Sequence, residues 1–377
     1  MPTVRTPVIS FAVGSFFFAP DGPFPYDFTG RDHMNRIRAA LEHLANVNEV
    51  ELEYSPEFDD KQMILTEALP VIGERLDYSP SPTYMTLDFR LDLPMRLQQE
   101  LSPWRFVGQP VDTKTEHFHV SIRQKFHASV AFITLIDPGR SPSPSTAVAI
   151  LREFLTKAFA DTEHLRFDCL GPSPFHADFF IRPSRQADEE RPFTCLRTTR
   201  EGYDRITYRY NGADFDTIDE ARDHIFDAID NAFDFVYHLQ QVEAHDLVQF
   251  DEITDLVTLL VELEKEKGLT GFWKRFRSTS VRSDALMKLA DFEAEQVYRQ
   301  VPTMRTYRQI TRQEDAACIL SDIDELTQRP MRWPVEQTER LLQLFERRRS
   351  SALQNIVTSI AGLVGVGIGA LLTALFT

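Results

Sequence analysis

The segment from His119 to Val130 reads HVSIRQKFHASV. It twice sets a histidine, an apolar residue, a serine and another apolar residue in a row, as His119-Val120-Ser121-Ile122 and His127-Ala128-Ser129-Val130. Imidazole titrates near neutrality, so two histidines can divide the roles of general acid and general base while hydroxyls hold an anionic oxygen. His119 and His127 are therefore the candidate catalytic residues. His117 and His119 share one face if the segment is a strand, a spacing that also permits metal binding, although no Asp, Glu or Cys partner stands out in the sequence. The plainer alternative is a half-exposed hairpin that happens to carry histidines.

Three further groups have chemical potential. Asp216, Asp219, Asp223, Asp227, Asp230 and Asp234 recur at spacings of three and four, which aligns them on one helix face. Like charges at that spacing repel, so either a divalent cation or neighbouring basic side chains must offset them. Asp219, Asp223, Asp227 and Asp230 are the cation-binding candidates, and no other cofactor is indicated. Gly271 to Arg277 (GFWKRFR) interleaves aromatic and basic residues, so Trp273, Lys274, Arg275 and Arg277 are candidates for anionic lipid or an anionic ligand. Arg347, Arg348 and Arg349 form a second basic cluster, just ahead of the apolar C-terminal tail.

These residues need elements to hold them. Up to about Gly212 strand and helix patterns alternate, predicting a mixed α/β domain over residues 1–212. Val8 to Ala19 reads as a buried first strand rather than a secretion signal, because Pro7 precedes it and phenylalanine dominates it. Phe118–Val120 and Ala131–Ile136 read as strands paired around Arg123-Gln124-Lys125. From Asp216 to Lys267 no proline or glycine interrupts a helical pattern, which reads either as one unbroken helix or as two with a break around Gln240 to Gln249. Fifteen acidic residues there face only Arg222, Lys265 and Lys267, whereas Leu269 to Arg312 carries nine basic residues against four acidic ones. An acidic helix followed by basic ones predicts an antiparallel hairpin with complementary faces over residues 213–333.

Ile356 to Phe376 comprises 21 residues without a charge. At about 1.5 Å per residue such a helix matches the roughly 30 Å hydrocarbon thickness of a bilayer. The preceding arginines favour a cytoplasmic N-terminal domain, so the expectation for residues 334–377 is a juxtamembrane helix continuing into a single-pass tail anchor. Ala361, Gly365, Gly369 and Thr373 recur every four residues and form a smooth packing face, which suits helix–helix association in lipid. A homo-oligomer in the bilayer is expected from it.

Composition excludes some classes. Of 377 residues, 42% are hydrophobic and 26% charged, which is the balance of a folded chain. A net charge of −16 argues against nucleic acid as a partner. Cys169, Cys195 and Cys318 are too few and scattered for a disulfide framework and fit a reducing compartment. P-loop, dinucleotide-binding glycine, Gly-x-Ser-x-Gly and Cys-x-x-Cys motifs are all absent, so the sequence specifies no enzymatic reaction.

Two resemblances follow. The paired His-x-Ser-x elements resemble those of two-histidine phosphoesterases, where the histidines act on a phosphodiester; in that family the motifs lie in separate halves of the fold, whereas here seven residues separate His119 from His127. The order of an α/β domain, long acid-rich helices and a stalk entering the membrane behind basic residues resembles the CorA-type ion transporters. That resemblance implies oligomeric assembly through coiled stalk helices around an ion-conducting pore. This chain has one span where that family has two, and it lacks the Gly-Met-Asn signature. The expectation is a membrane-anchored effector whose cytosolic domain senses a signal, from a small anionic ligand or a protein, and whose C-terminal helices form or perturb a pore. The alternatives are a tail-anchored scaffold without a pore and a membrane-tethered phosphoesterase.

Overall fold

The computed structural model describes residues 8–21, 28–56, 85–102, 113–125, 129–139, 142–169, 175, 177–184, 191–200, 203–265, 268–312, 319–328 and 333–347, together with Gln354 and Thr358. The chain divides into two compact units, one of residues 1–241 and 302–330, the other of residues 242–301 and 331–377.

The first unit is built on a mixed eight-stranded sheet. Its strands are β1 (Ile9–Gly14), β3 (Val47–Tyr54), β4 (Met85–Asp92), β5 (His117–Gln124), β6 (Ser129–Leu135), β8 (Ala177–Pro183), β9 (Phe193–Arg200) and β10 (Tyr203–Tyr210). They lie in the order β3-β4-β5-β6-β1-β8-β10-β9. Every neighbouring pair is antiparallel except β8 and β10, which run parallel. The phenylalanine-rich N-terminal run, expected as one strand, is two. After β1 the chain passes through Ser15 and continues as β2 (Phe16–Pro20), which leaves the main sheet to pair with β7 (Leu165–Cys169). That change of sheet explains why the run is apolar on both sides: Phe11 and Val13 enter one core, and Phe16 and Phe18 the other.

Different helices pack on the two faces of the sheet. On one, α1 (Gly30–Glu42), α2 (Met95–Leu101) and α3 (Pro144–Phe159) accompany a core that takes in alternate residues of β4 and β5, among them Leu87, Phe89, Val120 and Ile122. Thr29 and Asp32 close a reciprocal capping box at the start of α1. Asp178 on β8 accepts the backbone N–H of Ser145 at 2.8 Å, fixing the first turn of α3. Helix α3 approaches β1 so closely that a Cβ on Gly14 would lie 3.0 Å from Val148 Cγ1.

On the opposite face the first part of α4 (Ile218–Lys265) covers β6 and the strands beyond it, with Ala221, Ile225, Phe226, Ile229, Phe233 and Val236 buried against β1, β6, β8 and β10. Phe226 stacks on Phe132 with ring centroids 3.9 Å apart. This burial places the first part of the acidic helix in the α/β unit, so the units do not divide at Gly212. Near the far edge, Arg197 of β9 holds Asp204 of β10 and Asp322 of α6 (Leu320–Gln328). Cys195 on β9 is disulfide-bonded, whereas the Cys169 thiol lies 3.2 Å from the Ser15 hydroxyl.

The second unit contains the rest of α4, most of α5 (Gly268–Ile310) and a helix over 335–347. Of the two alternatives for Gln240–Gln249 the unbroken helix is the one formed, and α5 likewise runs through Gly271 and Pro302. Phe250, Ile253 and Leu260 of α4 pack with Ala285, Leu289, Phe292 and Leu342. Pairs between Asp246 and Arg299 at 2.6 Å, and between Glu252 and Lys288, run in opposite sequence directions. Acidic α4 and basic α5 therefore lie antiparallel here, with charges matched. Among the described residues no helix is long and apolar enough to cross a membrane. The tail expected to do so, residues 356–376, lies outside them apart from Thr358.

Candidate functional site

Strand alternation divides β3, β4 and β5 into an apolar face and a polar one. Thr86, Asp88, Arg90 and Asp92 on β4 meet Arg123, Ser121, His119 and His117 on β5 in direct antiparallel register. The result is a sheet surface with both charge signs and two imidazoles. The α4 helix covers β6 and the strands beyond it, so its charged flank borders this surface.

Two histidine–carboxylate pairs lie side by side. His117 Nδ1 is 2.6 Å from Asp92 Oδ1, a hydrogen bond. His119 Nε2 lies 3.6 Å from Asp88 Oδ1, an ion-pair distance too long for a hydrogen bond. Their environments displace the imidazoles in opposite senses. Donation from its ring N–H to the Asp92 carboxylate raises the pKa of His117. Burial lowers that of His119; Asp88 partly opposes this and the Arg222 guanidinium reinforces it. Imidazoles displaced apart in this way can serve one as acid and the other as base.

Guanidinium groups supply the anion-recognising element. Arg90, which faces His119 across the ladder, reaches Glu49 at 2.9 Å. Glu49 sits at a β-bulge between Asn48 and Glu51 with φ of 51°, a left-handed conformation uncommon outside glycine. Arg222 on α4 holds Asp219 at 2.7 Å and Asp223 at 2.9 Å. Arg123 contacts Asp227 at 2.5 Å and lies 5.7 Å from the Phe132 ring centroid. Lys125, only 5% exposed, reaches Asp230 at 3.2 Å and Asp234 at 3.9 Å. Burial still raises the pKa of Asp230 despite Lys125 and Arg123 beside it.

The sequence candidates thus fall into distinct places. Asp219, Asp223, Asp227 and Asp230 each have a basic partner from α4 itself or from β5, which relieves the like-charge repulsion without an ion. Among the described residues no three His, Cys, Asp or Glu side chains gather to hold a metal. His119 is on the polar face, but His127, its sequence partner, lies outside the described residues, and the imidazole beside His119 is that of His117. Trp273, Lys274, Arg275 and Arg277 fall on helical backbone in α5, with side chains outside the description. Arg347 is exposed at the end of the 335–347 helix; Arg348, Arg349, Ala361, Gly365, Gly369 and Thr373 lie outside the described residues.

Sequence reasoning missed Asp88, Arg90, Asp92 and Arg222 as neighbours of the histidines. The alternation of Tyr84 to Leu93 could have shown that Asp88, Arg90 and Asp92 share one face. Nothing local could show which strand would lie beside it. Comparisons with protein-family models, curated proteins and solved structures find no match to this chain.

Proposed function

We propose that this protein is a membrane-tethered sensor in which the polar face of β3, β4 and β5 takes a small ligand that combines an anionic group with hydrogen-bond donors. A nucleotide is the simplest chemistry of that kind. The observation that carries the reading is the side-by-side placement of two His–Asp pairs with Arg90 and Arg222. Guanidinium groups suit phosphate through their planar fork of donors, and Asp88 and Asp92 suit amino and hydroxyl groups. Since each arginine already has a carboxylate partner, binding exchanges one anion for another and favours ligands that also engage the carboxylates. The 21 uncharged residues from 356 to 376 support the tether, with Arg347 to Arg349 favouring a cytoplasmic N-terminal part. The small-residue spacing of that segment supports its assembly into, or disturbance of, a pore.

Dye leakage from liposomes carrying the full chain tests the proposal, with and without nucleoside monophosphates. Leakage that depends on ligand, and disappears in Arg222→Gln, is expected. Bilayers that stay intact under every condition would remove the pore. Replacing residues 356–376 with a leucine-rich anchor separates pore from scaffold, because a scaffold keeps its activity after the swap.

A second reading, turnover of a phosphodiester, is favoured by the opposite displacement of His117 and His119. Neutral His119 would take a proton from the attacking water, whose oxygen bonds to phosphorus, while protonated His117 gives its proton to the departing oxygen. Hydrolysis of bis(4-nitrophenyl) phosphate with a bell-shaped pH profile, lost in both His117→Ala and His119→Ala folded variants, is the expected signature. Absence of any turnover above background rejects this reading and leaves ligand binding to be tested on its own.

A further inference from the structure

Helix α5 carries two apolar seams, and the described elements of the second unit use only one. Ala285, Leu289 and Phe292 are buried with α4 and Leu342. On another face Met287, Val297 and Val301 are 64%, 68% and 72% exposed, among the most exposed large apolar side chains described. Ala290 and Ala294 are exposed as well. Positions 287, 290, 294, 297 and 301 alternate steps of three and four, the seam spacing of a coiled coil. Scattered exposed apolar residues are ordinary, but a continuous heptad seam is a packing surface.

We infer that a second copy of this chain covers the seam, with the two α5 helices antiparallel. Two features select that occupant and orientation. Antiparallel pairing centred between Ala294 and Val297 sets Ala294 against Val297 and Ala290 against Val301, so each small residue meets a larger one. Parallel pairing would stack alanine on alanine and valine on valine, giving alternately thin and wide layers. Charge along the helix sequence agrees: Asp284 and Asp291 flank the early part of the seam, and Arg305 lies at the heptad position equivalent to theirs beyond its end. Antiparallel copies bring Asp284 of one toward Arg305 of the other, twice. This interface is independent of the tail and of any ligand.

The test uses full-length protein in detergent and exploits the orientation. Ala294→Cys and Val297→Cys proteins are prepared separately, mixed and oxidised, with wild type as the control for its native thiols. The interface predicts disulfide dimers chiefly in the mixture rather than in either variant alone. It also predicts that Val297→Lys with Val301→Lys weakens self-association at least 100-fold by sedimentation velocity, with unchanged circular dichroism. Cross-linking should survive in Gly365→Leu with Gly369→Leu, which separates it from association through the tail. Equal cross-linking in each variant alone, or an association constant unmoved by the two lysines, would overturn the inference, as would a monomer throughout the range from about 1 to 100 µM.

Discussion

At the scale of residues, the first unit depends on charges withdrawn from water. Lys125 is almost fully buried and serves two carboxylates, Asp230 and Asp234, each 8% exposed. Lys125→Met removes the buried cation that those carboxylates share, with Arg123 still 3.9 Å from Asp230, so a loss of up to about 3–5 kcal/mol is expected in chemical denaturation. Adding Asp230→Leu should recover part of it. His33 supplies the pH dependence. Burial holds its pKa down to about 4, so the unfolded chain binds a proton before the folded one does. Stability from neutral His33 is therefore complete above the ordinary histidine pKa near 6.5 and is lost as pH falls towards 4. His33→Gln should flatten the fall in urea midpoint between those pH values, and a wild-type slope in the variant would reject the assignment. The acidic repeat of α4 was legible as a problem of repulsion. Its solution was not, because Arg123 and Lys125 are about a hundred positions away in sequence and reach α4 only through the sheet.

At the scale of elements, periodicity revealed most strands and all the long helices, since alternation and 3.6-residue spacing are local consequences of burial. It failed where tertiary contacts overrule local signals. Ser15 divides the first apolar run because a second, two-stranded sheet is available to receive Phe16 and Phe18. Gln240 to Gln249 stays helical because polar side chains there find partners on α5: Asp246 pairs with Arg299, and Gln249 donates to Glu295 at 2.9 Å. Pro302 sits inside α5, where residue preference alone would end a helix. Two substitutions probe these packings. Gly14→Ala pushes a methyl into Val148 of α3, and overpacking of about 1–3 kcal/mol is expected by thermal or chemical denaturation. Asp246→Ala takes from the buried Arg299 the nearer of two carboxylates, the other being Glu295 at 3.6 Å, and should cost up to about 3–5 kcal/mol, nearly independent of salt. Glu252→Ala removes only a solvent-facing pair with Lys288, for which about 0–1 kcal/mol is expected. Equal losses for the two would contradict the division into buried and surface pairs.

At the scale of the whole molecule, the chain joins an α/β unit with a polar face, a helical unit with a seam that no described element of that unit covers, and a C-terminal segment whose sequence suits a bilayer. The face was half legible: the histidines announced themselves, but their neighbours Asp88, Asp92, Arg90 and Arg222 come from other elements. The central claim is that this face binds a ligand combining anionic and donor groups. It is tested most directly by the imidazole resonances of histidine-labelled full-length protein during titration with adenosine monophosphate at constant ionic strength. Saturable movement of the His117 and His119 signals below about 5 mM is predicted, corresponding to a few kcal/mol of binding. The same titration of Arg90→Gln or Arg222→Gln should leave those signals in place. Resonances that stay still in the wild type, or move equally in the arginine variants, would contradict the account.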